Sequence, residues 1–315
     1  VEAHGNLGVA LAEKGRLDEA VAAFREVIRL KPDDFKGHAK LGNTLEKTGK
    51  FDDALAAYKE AVRVKPDFAD AYCDLGVALR KKGKLDEAIA AYHKAIEIDP
   101  KHAVAYINLG NAMSAQNKPD EAIAALRKAI ELDPKNPFAY NNLGDDLADQ
   151  GKLDEAIACY KQAIRLKPDH APAYTNLGHV LSLKGEQDEA IAACKEALRL
   201  KPDIAEAHVN LGTALWRKGL LDEAIPAFRE AIRLKPDQAL SHNNLAWLLA
   251  TCPDPKLRDP GRAVELAQKA VELAPKEGNF WNALGAAQYR AGDCKAAIAA
   301  LEKSIALLQG GDSTV

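Results

Sequence analysis

The sequence predicts an all-α protein built as a solenoid of nine stacked helix pairs. The glycine of a Leu-Gly pair returns every 34 residues from Gly8 to Gly212, and a proline returns at the same interval from Pro32 to Pro236. Within each period, the apolar residues follow helical spacing in two stretches that a short polar turn separates. A fixed period of this length indicates stacked supersecondary units with one elongated core.

The stretch from Pro137 to His170 represents the unit well. Its first half carries Tyr140, Leu143 and Leu147 on one face of a predicted helix, and its second half repeats this pattern around Tyr160. A proline ends the second helix because it disfavours helix at the residue before it. Each unit is therefore predicted to be an antiparallel helix pair.

Small residues mark the place where the two helices of a unit cross. Gly144 lies inside the first helix and Ala156 inside the second, and both recur through the chain. Glycine inside a helix costs about 1 kcal/mol relative to alanine. Its recurrence predicts a close approach that a larger residue would block.

The repeats have different degrees of regularity. Repeat eight replaces the glycine with Ala246 and the second-helix aromatic with Ala267, and it carries five extra residues within Thr251–Arg262. Three prolines there exclude a continuous helix, so this segment is either a lengthened loop or a binding loop. The predicted repeats span 1–34, 35–68, 69–102, 103–136, 137–170, 171–204, 205–238, 239–277 and 278–311, with a tail at 312–315.

The order of aromatic, Leu-Gly, Tyr, Ala, Phe and Pro over 34 residues resembles the tetratricopeptide repeat. The resemblance covers nearly the whole chain. It implies a right-handed superhelix that binds proteins in a concave groove lined by the first helix of each pair. Repeats eight and nine also resemble the C-terminal repeats of bacterial tetratricopeptide proteins, some of which are fused to serine/threonine kinases.

Composition and motifs favour an interaction module over an enzyme. The formal net charge is −3, which implies no general affinity for nucleic acid, and no apolar run is long enough for a membrane span. The five cysteines have no metal-ligand spacing and predict free thiols in a reducing compartment, the cytoplasm. We expect no metal, cofactor or catalytic residue. Because the chain opens in register with repeat one, we also expect it to be an excised segment of a longer protein. An alternative function then follows: the array would be the targeting arm of a kinase or glycosyltransferase encoded in the same longer chain.

Two recurring polar patterns have structural explanations. Adjacent carboxylates such as Asp18-Glu19 open each second helix, where negative charge is favourable. Histidines replace the first-helix aromatic at His4, His38, His208 and His242. They lie in different repeats, so we expect them to pack rather than bind metal.

A series of asparagines predicts the binding site. They occupy the sixth place of consecutive repeats, which the helical period turns away from the Leu-Gly face. An inward amide offers both a donor and an acceptor to a peptide backbone. The series resembles the asparagine ladder in the repeat domain of the O-linked N-acetylglucosamine transferase. The alternative is that these amides tie neighbouring helices together. The predicted peptide-binding residues are Asn108, Asn142, Asn176, Asn210 and Asn244, with Asn141, Asn243, Trp216, Arg217 and Trp247 beside them.

The last helix predicts a second mode of association. Ile298, Leu301, Ile305 and Leu308 form an apolar stripe that no later helix covers. Exposed stripes of this kind mark interaction surfaces. The array is therefore alternatively a scaffold that forms a homo-oligomer through its terminal repeats.

Overall fold

A computed structural model describes residues 1–310. These residues form eighteen α-helices and no strand. The helices are α1 Glu2–Glu13, α2 Leu17–Leu30, α3 Phe35–Lys47, α4 Phe51–Val64, α5 Ala69–Lys81, α6 Leu85–Ile98, α7 Ala103–Ala115, α8 Pro119–Leu132, α9 Pro137–Asp149, α10 Leu153–Leu166, α11 Ala171–Lys184, α12 Gln187–Leu200, α13 Ala205–Lys218, α14 Leu221–Leu234, α15 Ala239–Thr251, α16 Pro260–Leu273, α17 Gly278–Arg290 and α18 Cys294–Gly310. The predicted tail lies outside the described residues.

The helices fall into two compact units, Val1–Lys152 with α1 to α9 and Leu153 onward with α10 to α18. In the first unit α1 packs on α2, α3 on α4, α5 on α6 and α7 on α8. In the second unit α11 packs on α12, α13 on α14, α15 on α16 and α17 on α18. Within each unit, and from α3 onward, a first helix also packs against the first helix of the next pair. The predicted all-α solenoid of helix pairs is thereby confirmed.

In several repeats the Leu-Gly glycine makes room for a ring from its partner helix, whereas Leu126, Cys194 and Leu301 take that place in repeats four, six and nine. A Cβ added to Gly42 would lie 2.6 Å from Cε1 of Tyr58, and one added to Gly212 would lie 2.8 Å from Cε1 of Phe228. Both rings are completely buried. Real Cβ atoms do not come this close, so only glycine lets the buried ring and the opposing backbone occupy this space.

Repeat eight exchanges volume between the two sides of the same crossing. Ala246 stands in place of the glycine and Ala267 in place of the ring, and both are fully buried. One position earlier, Leu266 replaces the usual alanine and is 4% exposed. The methyl added on one helix is thus matched by the ring removed from the other, and the pair still packs.

Ring nitrogens tie a first helix to the turn before it. In four repeats, the side chain at the fourth place donates an N–H to the carbonyl of the preceding repeat's last proline. The pairs are His38 Nε2 to Pro32 O at 2.9 Å, His208 Nε2 to Pro202 O at 3.0 Å, His242 Nε2 to Pro236 O at 2.9 Å and Trp281 Nε1 to Pro275 O at 2.9 Å. For these three histidines, the neutral tautomer with a proton on Nε2 fits this bond.

The paired carboxylates lie in the first turn of the second helices, as expected. The aspartate of one repeat also reaches a lysine or glutamine of the next. Examples are Asp18 with Lys50 at 3.3 Å, Asp86 with Gln116 at 2.6 Å, Asp120 with Gln150 at 2.8 Å and Asp154 with Lys184 at 2.7 Å. Each such surface pair contributes about 0–1 kcal/mol, so together they set the register of neighbouring repeats more than their stability.

Candidate functional site

In the second unit, four predicted site residues meet on the face formed by the first helices. Asn210, Trp216 and Arg217 of α13 and Asn244 of α15 line one cavity of about 260 Å³. The indole of Trp216 is half-buried. The helical period brings these α13 residues together because places six, twelve and thirteen share a face.

Two of these side chains already bond to a neighbouring helix. Asn210 donates from Nδ2 to the carbonyl of Thr175 at 3.2 Å. Arg217 donates from Nη1 to the carbonyl of Ser182 at 2.6 Å, in the last turn of α11. Carbonyls at a helix C-terminus lack intrahelical partners and attract cations. Asn210 and Arg217 therefore hold α13 against α11 while also lining the cavity.

The remaining predicted residues of this unit are more dispersed. Asn176 lines a separate cavity of about 360 Å³ with Thr175 and Glu206. Asn243 donates from Nδ2 to Oδ1 of Asn244 at 3.4 Å, a marginal distance. Trp247 is half-buried but lines neither cavity, although the sequence predicted it beside Arg217.

In the first unit, the asparagine amides bond to one another and to the preceding repeat. Asn142 donates from Nδ2 to Oδ1 of Asn111 at 2.8 Å. Asn141 is buried and donates to Oδ1 of Asn142 at 3.3 Å. Asn108 donates to Sγ of Cys73 at 3.2 Å.

The amide donors of Asn108, Asn142 and Asn210 thus tie neighbouring first helices, which is the alternative considered for the series. Whether the same amides also bind a ligand stays a prediction.

The first unit has its own cavity on the first-helix face, of about 620 Å³, which the list of predicted site residues missed. Its polar lining comes from places two, six and nine of repeats two and three and from the turn after α6. These residues are Lys36, Lys40, Asn43, Asp70, Asp74 and His102. The same helical period identifies this face. Lys40 and Asp74 interrupt the asparagine series, so the prediction based on that series did not include them.

Asp74 is the most perturbed carboxyl of this cavity. Burial raises its pKa to about 6, against a hydrogen bond from Asn43 that favours the charged form. Oδ1 of Asn43 in turn accepts from the hydroxyl of Tyr58 at 2.5 Å. Burial also raises the pKa of Tyr58, with the nearby Asp74 and Glu46 carboxylates as further causes. The cavity therefore holds an acid that titrates near neutral pH.

Among residues 1–310, no group of three or more histidine, cysteine or acidic side chains is placed to hold a metal ion. Over the same range, no helix has the length and hydrophobicity to cross a membrane. The polar side chains that line these cavities offer hydrogen bonds and charge.

Family models identify the class of protein. Residues 1–209, more than half of the chain, match the model described as the C-terminal domain of cilia and flagella-associated protein 70. Residues 195–239 and 256–312 match the tetratricopeptide repeat model. The chain belongs to the tetratricopeptide repeat proteins, within the family of domains that the first model describes. Both models describe repeats, a fold that serves as a protein–protein interaction scaffold.

Solved structures share the fold. A chain of the APC/C hetero-tetramer Cut9-Hcn1 is 22% identical with a TM-score of 0.70, over 86% of this chain and 52% of that one. PilF of Pseudomonas aeruginosa is 23% identical with a TM-score of 0.58, over 67% of this chain and 94% of its own. The chain thus spans about half the length of the Cut9-Hcn1 chain that it matches. Comparison with the curated proteins gives no match.

Asp74→Asn tests the buried carboxyl. The raised pKa means that the folded state favours the neutral acid, so its contribution to stability is complete below about pH 4 and is lost as the pH rises to about 6. At about 1.4 kcal/mol per pKa unit, the variant should be more stable than the wild type by about 1–3 kcal/mol at pH 7 and equal to it at pH 4. Urea unfolding at both pH values measures this difference.

Asp67→Asn is the matched control, because it makes the same change at an exposed turn of the same unit. It should leave the pH dependence as it is in the wild type. An Asp74→Asn variant that gains no stability between pH 4 and pH 7 would show that the carboxyl is ionised without cost.

Proposed function

We propose that this array binds an extended peptide segment of a partner protein along the face formed by its first helices. The observation that carries the proposal is the cavity where Asn210, Asn244 and Trp216 converge. It combines amides, which pair with a peptide backbone of any sequence, with an aromatic anchor of the kind that dominates interfaces.

Part of the lining of this cavity is apolar and open to solvent. Leu183 is 48% exposed and Leu240 is 46% exposed, and both line it beside Trp216. Covering apolar surface contributes about 25 cal/mol per Å², so a ligand side chain lying between the leucines and the indole would add affinity. The partner segment should therefore present an apolar side chain here.

The amides give the segment its register. Asn210 holds its position by bonding to Thr175, and an amide group has further hydrogen-bonding capacity beyond that one donor. Each net hydrogen bond contributes about 1 kcal/mol, so several amides are needed for useful affinity. Side chains already held by structural bonds lose little entropy on binding, which favours this double use.

We further propose that the domain acts without catalysis or cofactor in the cytoplasm. The five cysteines form no disulfide, and Cys73, Cys194 and Cys252 are buried. Burial raises the pKa of Cys73 to about 11 and that of Cys194 to about 12. Such thiols stay protonated and unreactive at neutral pH, and cysteines without disulfides suit a reducing compartment.

Trp216→Ala combined with Asn244→Ala tests the groove. A peptide selected from a phage-displayed library of unstructured 12-residue segments serves as the ligand, and calorimetry gives its Kd. Loss of the anchor and one amide should weaken binding at least tenfold while the circular dichroism spectrum stays unchanged. Phe51→Ala removes an exposed aromatic from the second helix α4, away from the first-helix face and outside the cavity, and should leave the Kd unchanged. If no peptide is enriched, or if the double variant binds as the wild type does, the proposal fails.

A second candidate function is self-assembly through α18, which would bring a second copy of the chain onto its uncovered apolar stripe. Ile298 is 58% exposed, Ile305 53% and Leu308 51%. Leu301 is less suited to a test than the sequence suggested, because its side chain packs against Gly285.

Ile298→Glu combined with Ile305→Glu tests self-assembly. Light scattering of the wild type should give a mass that rises with concentration, and the variant should remain at 33.9 kDa because two charges on the stripe oppose its burial. A wild-type mass that stays at one chain up to about 100 µM, near the weak end of specific association, would exclude this candidate.

A further inference from the structure

The bonds that join neighbouring repeats change at the junction of α14, α15 and α16. Elsewhere, a first-turn aspartate meets a lysine or glutamine of the next repeat, as in Asp154 with Lys184. A basic residue on one second helix also faces the first-turn glutamate of the next, and Lys195 lies 4.0 Å from Glu223. These charges therefore alternate in sign along regular repeats.

Both partners are replaced in repeat eight. Cys252 stands where most earlier repeats have lysine or glutamine, and Gly261-Arg262 stands where most of them have Asp-Glu. Arg229 corresponds to Lys195, one period later, and it lines a cavity of about 450 Å³ together with Arg262. Two arginines thus line one cavity at the positions where Lys195 and Glu223 form an ion pair one period earlier.

The cavity combines this positive charge with an apolar lining. Arg229, Arg233 and Arg262 lie at its exposed edge, and Ile232, Leu245, Leu249 and Leu266 line the rest. Arg233 is paired with Glu230 at 2.6 Å, and Arg262 is paired with Glu265. Both pairs are exposed, so water and ligands compete with them at little cost.

One residue that lines this cavity has a buried nitrogen without a partner. His242 is 7% exposed and lines the cavity, and its Nε2 is bonded to the carbonyl of Pro236. Its other ring nitrogen, Nδ1, is buried and has no hydrogen-bond partner among the described residues. His38 and His208 make the same Nε2 bond without leaving a buried orphan. With the proton on Nε2, Nδ1 is an acceptor that needs an N–H donor.

The inserted segment extends the positive charge into a neighbouring cavity of about 370 Å³. Lys256 and Arg258 line it, and it shares Arg229 with the first cavity. Two acids also line it. Asp259 accepts a bond from the backbone N–H of Arg262 at 2.9 Å, which caps α16, whereas Asp222 faces the lysine and arginine.

We propose that this cleft, lined by Arg229, Arg262 and His242, binds an acidic segment of a peptide in which a carboxylate side chain stands next to an aliphatic one. The guanidinium groups suit a carboxylate, the leucines suit the aliphatic side chain, and Nδ1 of His242 suits a peptide N–H. An inorganic anion such as phosphate has no apolar part to cover the leucines, so the lining favours a peptide. The cleft involves the second helices α14 and α16, and it is separate from the first-helix face of the proposed function.

Arg262→Glu tests the cleft. It restores the residue that regular repeats carry and should pair with Arg229, so the fold is retained. The probe is fluorescein-labelled Ala-Leu-Asp-Glu-Leu-Ala with blocked ends, followed by fluorescence anisotropy in 50 mM salt. Binding should weaken at least tenfold in the variant. Lys269→Glu makes the same charge change on α16 outside both cavities and should change the Kd less than twofold.

Several results would overturn the inference. They include equal affinity of Arg262→Glu and wild type, equal binding of the probe with Asn-Gln in place of Asp-Glu, and binding of inorganic phosphate without binding of the peptide. In nitrogen-15 spectra of the imidazoles, Nδ1 of His242 should shift on saturation with the probe, and an unchanged signal also counts against the site. Trp216→Ala should leave this affinity unchanged, which separates the cleft from the first-helix groove.

Discussion

The close crossing of two helices at a glycine is the constraint on which the rest of the array depends. A buried ring, as of Tyr58 or Phe228, occupies the space that the glycine leaves. Repeat eight shows that the two sides of the crossing can exchange volume, because Ala246 and Ala267 exchange a methyl for a ring and both stay buried. Packing at crystal-like density favours such compensating exchanges.

Close crossing of each pair leaves the first helices side by side, and polar side chains then join them. Asn142 reaches Asn111, Asn210 reaches the backbone of Thr175, and Arg217 reaches Ser182. Asn210 and Arg217 also line the candidate cavity of the second unit. The candidate groove is therefore held in shape by the residues that would bind its ligand, which makes it pre-organised.

Periodicity was enough to predict the helix pairs, the first-turn acids and the face that carries Asn210, Trp216 and Asn244. It was not enough to predict which atoms form hydrogen bonds. Asn108, for example, donates to Cys73, which lies 35 residues earlier in the chain. Nor did it place Trp247, since repeat eight departs from the period. The cleft at Arg229 and Arg262 is formed by two neighbouring repeats, so the pattern within a single repeat does not predict it.

A double-mutant cycle between Gly212→Ala and Phe228→Ala measures the central constraint most directly, with urea unfolding as the readout. Gly5→Ala is the reference, because a Cβ there lies 4.0 Å from the nearest atom, Cγ2 of Val27. Gly212→Ala alone should destabilise the protein by about 1–3 kcal/mol, because the added methyl meets the ring of Phe228. In the Phe228→Ala background the same substitution should cost nothing, or stabilise, as in repeat eight. The coupling energy should then exceed about 1 kcal/mol. Additive effects of the two substitutions would contradict the account.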